Sequence, residues 1–185
     1  MEKKLKDILS DVTNWLNFAE AKNLALLTFN SVWLATFVKK FFESKGIGER
    51  VLFAFFSIVS IIAIIICLIS FIPKIFPQIF LKTTIEEVLK DKLPEKSETD
   101  NLLFYRDIFK YSEDEYYEVI QRRKFINYEN GVDNFNSDNY KYEKTMVKQI
   151  VILSGIAYKK YYLFNIAIKV TAFPFVIFMI SIIIQ

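Results

Sequence analysis

VLFAFFSIVSIIAIIICLISFI, residues 51–72, runs for twenty-two positions without a charge, and sixteen of them are Leu, Ile, Val or Phe. As a helix the run is roughly 33 Å long at 1.5 Å per residue, against a hydrocarbon core of about 30 Å. Its large apolar residues favour membrane insertion by roughly 5–10 kcal/mol in total. Pro73 and Pro77 follow, and proline stops a helix by removing a donor and crowding the preceding turn. A helix in the core of a soluble protein would show a polar face, and this run is read as having none.

Downstream, Leu163 to Ile184 is a second long apolar run, interrupted by Lys169 and Pro174. A lysine at mid-membrane costs about 2.5–3.5 kcal/mol, which the other residues offset. Lys169 therefore either snorkels to the interface or faces an assembled bundle, and Pro174 is expected to bend the helix. Upstream, the weaker run Leu24 to Phe42 contains Thr28, Asn30, Ser31 and Thr36. Asn23 and Asn30 are seven apart and share a helix face, and polar residues within a span tend to bond neighbouring helices. Gly46 and Gly48, within Ser44 to Glu49, are expected to close a hairpin between the first two runs.

The expected fold is all-α: an amphipathic helix at 1–20, transmembrane helices at 22–42, 50–72 and 162–184, and a helical domain at 74–160 between the second and third spans. Lys3, Lys4 and Lys6, with Lys74 and Lys82, place the N-terminus and middle domain in the cytoplasm; Lys39, Lys40, Lys45 and Arg50 pull the other way. In the first twenty residues Leu5, Ile8, Leu9, Val12, Trp15, Leu16 and Ala19 follow helical spacing. That predicts a helix lying on the membrane or against the middle domain. Asp7, Asp11 and Glu20 argue against a cleaved signal peptide.

The middle domain carries fifteen basic and fifteen acidic residues over 74–160. Thr83 with Glu86 and Ser112 with Glu115 are capping boxes, opening predicted helices through Lys92 and Lys124. Asn101 to Lys110 is a further predicted helix. Asn127 to Asn139 is an expected polar loop, and a long helix is expected from Tyr140 into the last span, with Ile150, Leu153, Ile156 or Ala157, and Tyr161 on one face.

The chain has no histidine and one cysteine, Cys67, so zinc sites and Cys–His catalysis have no residues to use. It has no Walker loop, no GxGxxG and no Gly-x-Ser-x-Gly elbow. Glu86/Glu87 and Glu113/Asp114/Glu115 sit in predicted first turns, where they complement the helix dipole. Arg122, Arg123 and Lys124 are read as a solvated helix end or a phosphate partner. No catalytic residue, metal or cofactor is expected, the chain is not expected to be an enzyme, and a net charge of +3 is too small to indicate nucleic-acid binding.

Three stretches carry a resemblance: WLNFAEAKNLALLTFN (residues 15–30), NLLFYRDIFKYSEDEY (101–116) and KQIVILSGIAYKKY (148–161). Together, in this order, they resemble the transmembrane Pycsar effector family (PycTM type). The chain departs from that pattern at Asn23 and at Arg106–Asp107. The resemblance implies an antiphage effector of the bacterial inner membrane, multi-pass and homo-oligomeric. It implies triggering by a cyclic pyrimidine nucleotide (cCMP or cUMP) from a cognate cyclase, followed by loss of membrane integrity and abortive infection. A cyclic monophosphate needs a cation and an aromatic or amide partner. Tyr105, Arg106 and Gln149 fall in family-like segments and are the candidate ligand residues. Lys22, Asn23, Asn30, Ser31 and Lys169 are candidates to line or gate an opening. The competing classes are a ligand-independent holin-like toxin and a membrane adaptor.

Overall fold

A computed structural model describes residues 2–72, 93, 95–122 and 137–184, with side chains over 141–180 in the last stretch. The described residues are helical, with no strand: α1 (Glu2–Glu43), α2 (Ile47–Phe71), α3 (Tyr105–Ile108), α4 (Glu113–Arg122) and α5 (Ser137–Ile184). The predicted amphipathic helix and first span lie on one uninterrupted helix, α1. Two of the predicted elements change. Only Tyr105–Ile108 of the stretch 101–110 is α-helical, because hydrogen-bonded turns lead into it. Helix α5 opens at Ser137 rather than Tyr140. The helix predicted from Thr83 and most of the predicted loop at 127–139 lie outside the described residues.

The chain divides into two compact units, Met1–Phe18 with Pro77–Lys159 and Ala19–Phe76 with Lys160–Gln185. The first, the polar unit, has a conventional core. Leu5, Ile8 and Val12 of α1 are buried with Leu102, Ile108, Tyr116, Ile120, Met146, Val147 and Ile150. The N-terminal helix thus packs against the middle domain, the second of its two predicted placements. Tyr116 is fully buried and donates to the Leu102 carbonyl at 2.6 Å; burial raises its phenol well above the ordinary range. The capping box at α4 forms as predicted: Ser112 N–H donates to Glu115 at 2.8 Å, and Glu115 N–H donates to Ser112 Oγ at 3.4 Å.

Lys96 donates to both Glu115 oxygens, at 2.7 and 2.8 Å. That contact, reinforced by the backbone N–H and the hydroxyl of Ser112, takes the Glu115 carboxyl from 4.5 to about 2. A depressed carboxylate stabilises the fold fully above its unfolded value and loses that contribution as pH falls through its folded one. The polar unit is therefore expected to weaken between about pH 4.5 and pH 2. Lys96→Met is expected to narrow the loss, and high salt to mute it, because the pair is half exposed. Amide exchange of α4 at stepped pH measures both.

The apolar unit packs the other way round. In α2 the buried positions Ser57, Ser60, Ala63, Cys67 and Ser70 form one stripe of small residues, with Phe56 at its head. Ile58, Ile61, Ile62, Ile65 and Leu68 point outward and are exposed. The helix therefore has a weakly polar face after all, and that face is the inner one. Ser57 bonds back to the Phe53 carbonyl at 2.8 Å, which satisfies its hydroxyl without water. Gly46 caps the start of α2, and Ile72, held in an extended conformation ahead of Pro73, ends it. Trp33 and Phe37 of α1, Phe56 of α2 and Phe175 and Phe178 of α5 form an aromatic cluster with centroids 5.1–5.8 Å apart. Helix α5 continues through Pro174. Among the described residues, α2 and the Lys141–Ile180 part of α5 are long and apolar enough to cross a membrane.

Candidate functional site

Within the apolar unit, the polar side chains predicted for the first span separate into two groups. Asn23 and Asn30 are buried toward α5. Asn23 Nδ2 donates to Ala19 O at 2.9 Å and to Lys160 O at 3.3 Å. Asn30 Nδ2 donates to Leu26 O at 2.8 Å and to Thr171 Oγ1 at 3.1 Å; Asn30 Oδ1 lies 3.2 Å from the same hydroxyl. These amides tie α1 to α5, as interhelical polar contacts in apolar surroundings do. Asn23 Oδ1 has no hydrogen-bond partner among the described residues. Ser31 is exposed and bonds its own Leu27 carbonyl at 2.9 Å, and Lys169 is exposed on α5. Lys22 lies over the rings of Tyr161 and Phe164, at 5.4 and 5.7 Å. The five gating candidates do not share one lining: two join helices, one stacks on rings and two face outward.

A charged contact that sequence reasoning missed lies in the same unit. Lys160 Nζ sits 2.9 Å from Glu20 and 5.3 Å from the Phe71 ring centroid, with its side chain 11% exposed. Glu20 and Lys160 are far apart in sequence, so no local pattern announces them. The cavity lined by Asn30, Trp33, Ser60, Thr171 and Pro174 holds about 10 Å³, room for at most one water.

In the polar unit, Tyr105 stacks on Phe104 (4.5 Å) and against Trp15 (5.8 Å), while Arg106 and Gln149 are exposed. Trp15 also meets Phe104 edge-on at 5.8 Å. Of these three rings, Trp15 and Phe104 border an open groove of about 620 Å³, lined by Asp11, Asn14, Trp15 and Phe18 of α1 and by Asn101, Leu103 and Phe104. Among the described residues, none of the three predicted ligand residues lines it.

What holds the Asn101–Tyr111 segment in place is ionic. Lys110 Nζ lies 2.5 Å from Asp100 and 3.1 Å from Asp107, with its side chain 5% exposed. Asp100 also accepts from Ser97 N–H at 3.0 Å and Tyr111 OH at 2.8 Å, and Asp107 accepts from Asn101 N–H at 3.1 Å. Burial pushes the Asp100 carboxyl up, but the Lys110, Ser97 and Tyr111 bonds outweigh it and hold it below its ordinary value. The Arg106–Asp107 departure noted in the sequence is thus partly structural, since Asp107 closes a turn.

The sequence profile of the Pycsar effector protein domain matches residues 4–185. The chain belongs to the Pycsar effector family. No curated protein and no solved structure matches it. Pycsar effectors act in antiphage defence, and with the two apolar helices this makes the chain a membrane protein. The match covers both units, so the groove, the ionic network and the tied helices all lie within the Pycsar domain.

Proposed function

We propose that this chain is the membrane-impairing effector of a Pycsar system, triggered by cCMP or cUMP from a cognate cyclase. The observation that carries the membrane half is the packing of α2, with small residues inward and large aliphatics outward. That inversion is stable in lipid, where outward aliphatics cost nothing and close approach of helices supplies the packing. In the first predicted span, Thr28, Ser31 and Thr36 each bond a carbonyl four residues back, at 2.9–3.0 Å. This lets α1 cross as well, giving three spans at 22–42, 50–72 and 162–184 in the bacterial inner membrane, with the polar unit in the cytoplasm. The effector acts without catalysis, cofactor or metal, and as a homo-oligomer.

A ligand shifts such a protein only if it prefers one of its states. The packed apolar unit is the resting state, and rearranging it requires the Asn23, Asn30 and Glu20–Lys160 contacts to give way. Helices α1 and α5 each contribute residues to both units, which provides a covalent route for the response.

The test is expression in bacteria with and without supplied cCMP or cUMP, following membrane potential. Depolarisation with one of the two, and none without, is expected. No response to either overturns the trigger, and depolarisation without nucleotide favours the constitutive toxin. Arg106 is the proposed phosphate partner. Arg106→Ala is expected to move the dose curve to about tenfold higher nucleotide or more, and an unchanged curve removes it from the site.

A further inference from the structure

We infer that the groove of the polar unit is a nucleoside pocket, taking the base and ribose of the nucleotide and leaving its phosphate at the mouth. The inference rests on the proposed trigger for the identity of that nucleotide; the groove itself rests on geometry. On α1, Asp11, Asn14, Trp15 and Phe18 occupy one stripe, at spacings of three, four and seven residues. Leu5, Ile8 and Val12, on a neighbouring stripe, are the ones buried in the core. The groove stripe lies outside that buried core, yet it carries two large exposed aromatics, Trp15 and Phe18.

The chemistry of the walls suits a nucleoside. Trp15 is held by Phe104 and Tyr105, so its indole offers a preordered stacking surface. Stacking of a base on such a ring needs no particular sequence of donors. Asn14 and Asn101 add amides, each with a donor and an acceptor, which match the mixed edge of a pyrimidine. Asn101 Oδ1 already accepts from Leu103 N–H at 3.0 Å, which fixes its orientation and turns its NH₂ to donor duty. Asp11 is an acceptor for a ribose 2′-hydroxyl, the role an acidic residue plays in dinucleotide sites. Among the described residues the groove lining includes no Lys or Arg, so these walls offer a triphosphate no counter-charge. Its volume of about 620 Å³ lies in the usual range for small-molecule sites. A surface that only dips into lipid would not carry Asp11 and Asn14 on the same stripe as its aromatics.

The experiment uses the full chain in lipid nanodiscs with Trp33→Phe, leaving Trp15 as the only tryptophan of the two. Saturable quenching of Trp15 by cCMP or cUMP, and by the matching nucleoside cytidine or uridine, is expected. Asp11→Ala is expected to weaken the ribonucleoside by about tenfold while leaving the 2′-deoxynucleoside unchanged, and Asn14→Ala to weaken both. Neither side chain has a hydrogen-bond partner among the described residues, so these variants keep their fold. Quenching of Trp15 by brominated lipid but by no nucleoside makes the stripe a membrane contact and overturns the pocket. Depolarisation of cells by cCMP or cUMP with Trp15 unmoved also overturns the pocket, and leaves the effector reading standing. Trp15 answering nucleosides in a chain that never depolarises cells does the reverse.

Discussion

Lys110→Met is expected to loosen the Asn101–Tyr111 segment by about 3–5 kcal/mol, the usual cost of removing one partner from a buried ion pair. The lysine bridges Asp100 and Asp107, and all three sit on one short stretch of chain. Its loss takes the lysine's charge away from Asp100, whose side chain is 6% exposed, while Ser97 N–H and Tyr111 OH still donate to it. Desolvation of a carboxylate that has lost its cation dominates the cost, more than the lost attraction itself. Hydrogen exchange in the purified chain reads the effect locally, and amides of 101–111 are expected to exchange at least about a hundredfold faster. Adding Asp100→Asn should recover part of the loss, since a neutral amide keeps an acceptor for Tyr111 without the charge. Unchanged exchange in the single variant would show that the network contributes nothing. Asn101 and Phe104 line the groove, so nucleoside affinity should fall in parallel.

The second large effect is steric. A Cβ at Gly155 of α5 would lie 2.6–2.7 Å from the Phe109 ring, closer than packed carbons approach. The backbone under Phe109 is held, because Ile108 is buried in the core and Lys110 is paired ionically, although an open groove borders the ring. Its ring also packs against Tyr158 at 5.7 Å. Gly155→Leu is expected to cost about 3 kcal/mol through overpacking. Gly155→Ala should cost less, because alanine regains up to about 1 kcal/mol of helix propensity. Thermal unfolding of the polar unit, followed by near-ultraviolet dichroism, gives the order. Combining Gly155→Leu with Phe109→Ala should restore much of the loss, an exchange of volume across one contact. Failure of that rescue would mean that the glycine serves something other than the Phe109 ring.

Neither effect was legible in the chain's linear order. Gly155 sits in one of the stretches that resembled the family, yet nothing there says which ring it faces. Asp107 and Lys110 are one helical turn apart and could be paired on paper, but Asp100 reaches them only through the turns at Asn101–Phe104. Trp15 followed the apolar spacing of the N-terminal helix, and the structure instead sets it on an exposed stripe with Asp11 and Asn14. For Asn23 and Asn30, the shared face was visible from their spacing. Their partners, the Lys160 carbonyl and Thr171, were not.

The chain's own order determined whatever depends on neighbours a few residues away or on averages over a run. The apolar stretch at 51–72 declares its preferred solvent through summed transfer energy. Ser112 and Glu115 close their box within one turn, and Pro73 stops α2 through the residue before it. Tertiary structure alone decided which face of each helix turns inward and which distant groups meet. In α2 the spacing of Ser57, Ser60, Ala63, Cys67 and Ser70 marks one face in the sequence, but contact with α1 and α5 is what turns that face inward and the isoleucines outward. In the polar unit, the pairing of Lys110 with Asp100 and the meeting of Trp15 with Phe104 depend on where the turns carry the chain, and separation in sequence contains no record of that.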